Sequence, residues 1–186
     1  MKLKSLVISL LLVTALFVGC TSKEEVEVPK EQEQTQEETQ DKTNDVVTTP
    51  SITNNADDLE KALSADGTWI IAITQDVTTD KELLMDGTFH DKNDESKELA
   101  RKLALYSQDA DKNITASYTL TTPKLTVKSE NAKIQEGTVV GDIYVEANGF
   151  TLKNTKVEGN VYFANEEYKN SFKLDGGEIT GVMEIK

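Results

Sequence analysis

The sequence predicts a mainly β chain in which a short N-terminal cap helix is followed by a small parallel β-solenoid, and three observations predict it. The first is a repeat: Ala132, Ile134, Val139, Gly141, Ile143 and Val145 share their spacing with Phe150, Leu152, Val157, Gly159, Val161 and Phe163. Phe172, Leu174, Ile179, Gly181, Met183 and Ile185 follow it again, so that the three units start at Ala132, Phe150 and Phe172. A period of roughly 20 residues marks a stacked array, because no single unit can bury its apolar side alone. The second is the Gly, Asn and Asp residues between the apolar pairs, which supply turns. The third is Asp57-Asp58 ahead of Leu59, Ala62 and Leu63. Acidic residues favour a helix N-terminus, and the three apolar positions share one helical face. Such a helix covers the open end of an array.

Taken in order, the chain opens with Lys2 and Lys4 before an apolar run from Leu6 to Val18. Those 13 residues fall short of the roughly 17–25 that a transmembrane helix needs, so residues 1–19 read as a signal peptide. Leu16-Phe17-Val18-Gly19-Cys20 resembles the bacterial lipoprotein signal, with Phe17 where that signal usually carries Leu. The resemblance implies that Cys20 is lipidated, becomes the mature N-terminus and anchors the protein on the outer face of a bacterial cell membrane. The alternatives are an ordinary signal peptide or an uncleaved anchor. Against both stands the only Cys of the chain, set directly after a small residue, since an odd Cys in an exported protein needs a role.

Residues 20–56 read as the lipidated Cys and an acidic tether. Positions 21–56 hold nine Asp or Glu against three Lys and no aromatic residue. Such a segment cannot bury enough apolar area to offset its ordering entropy. As a coil its ends would lie roughly 30–36 Å apart, a stalk between membrane and domain.

Residues 57–186 form the expected solenoid domain. Asp66-Gly67 ends the helix; Trp69–Thr74 is β-rich, and Leu83, Met85 and Phe89 continue the alternation around Gly87. A polar insertion follows at His90–Ser96. Lys102–Gln108 and Ile114–Leu120 read as strands of a hairpin joined by Asp109–Asn113. Carried back by the interval between its first two units, the repeat falls on Ile114, Ala116, Thr121, Pro123, Leu125 and Val127, with Pro where Gly is due. The Gly-Asp-Ile-Tyr-Val and Gly-Asn-Val-Tyr-Phe segments resemble the rungs of right-handed parallel β-helix proteins, bactofilin-like or pectate-lyase-like. That resemblance implies a right-handed β-helix over about residues 114–186. The competing reading is an antiparallel sandwich with evenly spaced strands.

Charge and composition narrow the function. Acidic residues outnumber basic ones 33 to 20, a net charge of −13, of which −9 lies on residues 57–186. This argues against nucleic acid, whose phosphates need a basic face. One Cys and one His leave no protein-built zinc or iron–sulfur site, and no cofactor motif is present. Asp109, Asp111 and Asn113 have the spacing of the first ligands of a calcium loop, but Ile114 and Leu120 stand where Gly and Glu are needed. The Asp91–Glu95 cluster reads as a loop tip. His90 has no Ser, Cys or second His nearby in sequence to act with. Tyr144 and Tyr162 hold equivalent places in successive units, between inward-facing neighbours, and should stack on the outer face. There they either stabilise the stack or hold a sugar or a protein partner.

The expectation is a non-enzymatic surface lipoprotein whose solenoid binds or scaffolds cell-wall polymer or other surface proteins. A wall-polysaccharide lyase or hydrolase on the same scaffold is the alternative, because paired carboxylates support glycoside hydrolysis. Self-association through exposed end rungs is a third.

Overall fold

The computed structural model describes residues 50–186. The expected signal peptide at 1–19, Cys20 and the expected tether as far as residue 49 lie outside the described residues. The described part is mainly β, with parallel sheets.

It begins with β1 (Ser51–Ile52) and α1 (Ala56–Leu63). The Asn55 side chain caps α1 by accepting the Asp58 N–H at 2.9 Å, with Asp57 and Asp58 in the first turn. Leu59 and Leu63 are fully buried, as their spacing requires. The expected start at 57 is too late. Ser51 and Ile52 already pair with Ile71 and Ala72. That pairing runs through backbone hydrogen bonds, which leave no side-chain pattern in a polar segment.

From there the chain passes repeatedly through three ladders. The first circuit is β2 (Ile70–Ala72), β3 (Val77–Thr78) and β4 (Leu83–Met85). A loop with a 3-10 turn at Asp91–Asn93 leads to β5 (Arg101–Ala104). Next, β6 (Tyr106–Gln108) and β7 (Ile114–Ser117) form an antiparallel hairpin, as the sequence suggests. The second circuit closes with β8 (Thr119–Val127), long enough to serve two ladders. The third is β9 (Ala132–Gln135) and the equally bent β10 (Thr138–Val145). The fourth is β11 (Thr151–Lys153), β12 (Lys156–Glu158) and β13 (Val161–Phe163). After α2 (Glu166–Ser171) come β14 (Lys173–Asp175), β15 (Glu178–Ile179) and β16 (Met183–Ile185).

The first ladder runs β1-β2-β5-β9-β11-β14; the second joins β3, β8, β10, β12 and β15, and the third β4, β8, β10, β13 and β16. Every pairing within them is parallel, which excludes the antiparallel sandwich. Registers match the repeat. Ile143, Val161 and Met183 align, as do Val145, Phe163 and Ile185, and Ile134 meets Leu152, which meets Leu174. These columns are the core: Ile134, Ile143, Val145, Leu152, Val161 and Phe163 are fully buried.

Carrying the repeat further back succeeds only in part. Leu125 and Val127 stand opposite Ile143 and Val145, as expected. At the bend, however, Thr122 and Pro123 face Gly141 alone, so Leu120 rather than Thr121 meets Val139. Ile114 and Ala116 lie in the hairpin, and their places in the first ladder fall to Arg101 and Leu103. Gly141 has φ +131°, and a Cβ there would run into the Thr122 carbonyl; one on Gly159 would run into that of Gly141. The middle position of the repeat is Gly because successive turns meet backbone to backbone.

Candidate functional site

The two tyrosines singled out by the repeat do meet. Their ring centroids lie 4.8 Å apart with planes at 51°. Tyr162 is only 6% exposed. The Lys186 ammonium sits 3.5 Å from its ring centroid, and that of Lys124 lies 5.4 Å from Tyr144. Each ring is therefore occupied by its neighbour and by a cation. The pair works as a stabilising column on the third ladder more readily than as an open sugar platform.

The loops read as polar tips carry their own internal partners. The Asp109 carboxylate accepts the Asn113 N–H at 2.9 Å and its Nδ2 at 3.1 Å, and those bonds to Asn113 hold it below the usual carboxylate range. His90 Nδ1 lies 2.8 Å from the Lys97 carbonyl, tying the 90–99 loop together. Among the described residues, no group of three His, Cys, Asp or Glu side chains is gathered as metal ligands, and no helix is long and apolar enough to cross a membrane.

Arg101, the only arginine of the chain, is 1% exposed. It donates to the carbonyls of Ala62 (2.8 Å) and Ser64 (2.9 Å) at the end of α1, to that of Asp86, and to Ser129 Oγ at 3.2 Å. Its guanidinium lies 4.1 Å over the Phe89 ring. Burial pulls its pKa down to about 10, against a raising contribution from Asp86, so the charge persists at neutral pH. This is a clamp between cap helix and ladders, and the sequence pattern alone does not single Arg101 out.

The outer face of the first ladder has a different character. Among the described residues, insertions occur only at the connections that border it. The loop at 86–100 and α2 lie on its entry side, and the β6–β7 hairpin on its exit side. The connections between the second and third ladders are short throughout: 79–82, the bends of β8 and β10, 159–160 and 180–182. Ile70, Ala72, Lys102, Ala104 and Tyr106 line a groove of about 200 Å³ on this face, which Pro50 and Gln108 help to enclose. Lys102 Nζ donates to the Tyr106 hydroxyl at 2.8 Å, and the hairpin is tied down by the Ser107–Tyr118 hydroxyl pair at 2.8 Å. Reading the positions between the apolar pairs would have found this face, because those residues point outward.

Compared with family models, with curated proteins and with solved structures, the chain matches none.

Proposed function

We propose that this chain is a lipid-anchored protein of the bacterial envelope, held by an acylated Cys20. We read its ladders as the faces of a parallel β-solenoid that acts as a non-enzymatic binding module. The observation that carries the binding reading is the confinement of the insertions to the two edges of one face. In stacked arrays, insertions collected on one face commonly build the binding surface. The lone Cys closing a short apolar leader supports the anchor, and two acyl chains give the firm hold that one chain lacks.

Two experiments test this. Mass spectrometry of the mature protein should find a lipid-modified N-terminus at Cys20, and Cys20→Ala should leave the protein unprocessed or release it to the medium. An unmodified N-terminus, or one elsewhere, sinks the anchor. Purified cell wall should retain the protein without release of soluble fragments; sugar products would put a lyase or hydrolase in its place.

Self-association is the second reading, favoured by the fifth circuit. There Leu174, Val182, Met183 and Ile185 are 37–47% exposed, along strand edges left unpaired among the described residues. Light scattering should then show particle mass rising with concentration, and Met183→Glu should abolish the rise.

A further inference from the structure

We infer that the outer face of the first ladder binds a linear anionic polysaccharide laid along the ladder, an assignment that rests on the binding-module reading. Ile70, Lys102, Lys133, Thr151 and Lys173 form one outward column, and Gln135, Lys153 and Asp175 belong to the next. Neighbouring strands lie about 4.8 Å apart. Lys102 and Lys133 thus stand one strand apart, and Lys133 and Lys173 two. Four ammonium groups follow one track across a domain that is otherwise strongly acidic.

What sets these lysines apart is that they share one face of one ladder. Lys81, Lys124, Lys128 and Lys156 each hold a carboxylate within 3.5 Å. On the track only Lys153 has one, Asp175 at 3.9 Å. Among the described residues, no carboxylate lies within 4 Å of Lys102, Lys133 or Lys173. The same holds for Lys61, Lys92, Lys112, Lys169 and Lys186, but these stand on helices, in loops or after β16. Like charges directly opposite on paired strands repel, yet Lys102 faces Lys133 across the ladder. An anion between them relieves that repulsion.

The track runs into the groove floored by Ile70, Ala72 and Ala104, with Tyr106 at its side. Apolar and aromatic surface next to cations suits a sugar ring bearing an acidic group. A flat anionic membrane suits the face less well. It would press against the acidic side chains bordering the lysines, Asp175 among them, whereas a thin polymer can follow the lysines themselves. The absence of Arg on the face means charge and spacing are read without a planar fork, so carboxylated and phosphate-bearing glycans are both accepted.

The test measures affinity of the full chain for polygalacturonate and for phosphorylated dextran, with neutral dextran as control. Both polyanions should bind and neutral dextran should not. Lys133→Gln with Lys173→Gln should weaken binding by about tenfold and roughly halve the slope of log affinity against log salt, two of four cations being lost. Lys61→Gln with Lys112→Gln removes the same charge elsewhere and should change affinity by less than about twofold. Equal losses from both pairs, or no binding of either polymer, would overturn the assignment. So would loss of capture by phosphatidylglycerol vesicles in the Lys133/Lys173 variant with polymer affinity unchanged, since the anchor is common to both proteins. Undiminished wall retention by that variant would overturn this assignment alone; failure of the unmodified chain to be retained counts against the binding module itself.

Discussion

Val161→Asp is expected to unfold the described domain. Val161 is fully buried between Ile143 and Met183 in the third ladder. An Asp there either carries an unpaired charge into the core or takes up a proton to avoid it, and its hydration is lost either way. A penalty of several kcal/mol matches most of the stability of a domain this size. Circular dichroism and urea titration should find no folded baseline at 25 °C, while Val161→Ala, which only leaves a cavity, should cost about 1–3 kcal/mol and still fold. A folded Val161→Asp domain would mean that the third ladder is not stacked as described.

The second large effect concerns the clamp. Arg101→Met keeps bulk but removes every donor to Ala62, Ser64 and Asp86. Carbonyls stripped of a charged donor in a buried site should cost roughly 3 kcal/mol in total. The loss should be local in its first consequence. Hydrogen exchange should show α1 amides losing protection while β10 and β13 keep theirs, because the later circuits do not touch the guanidinium. If α1 retains its protection, the cap is held by Leu59 and Leu63 alone and the clamp is incidental.

The contrast between these residues explains what could be read in advance. Val161 belongs to a column whose members recur at fixed spacing, and burial of an apolar side has to recur wherever the backbone path does. Those registers, the cap helix and the hairpin were legible for that reason. Arg101 was not, because its partners are backbone carbonyls 15–39 residues away, which any sequence supplies. The one-residue slip at Thr122–Pro123 was hidden for a related reason: a bulge changes the count without changing the pattern of apolar residues. On the surface, the tyrosine pair was visible as a repeat, but the cations covering it come from Lys124 and Lys186, outside the repeat positions. The lysine track was within reach, since Lys133 and Lys173 hold the same outward place one position after the first apolar residue of each run. Burial does not mark it, because the pattern of what is buried carries no information about what lies between.

The glycine column has a consequence for how such a chain can grow. Val145 and Phe163 pair across the ladder one repeat apart, and Gly141 and Gly159 recur at the same interval with their backbones in contact. A tandem duplication of residues 146–163 would return the chain to the register it left, glycine over glycine, with no existing pair disturbed. Each such duplication lengthens the outer track by about 4.8 Å and adds Thr151 and Lys153 to it. If the proposed polymer lies along this track, the reach along it is set by copy number, open to gradual adjustment without redesign of any single contact.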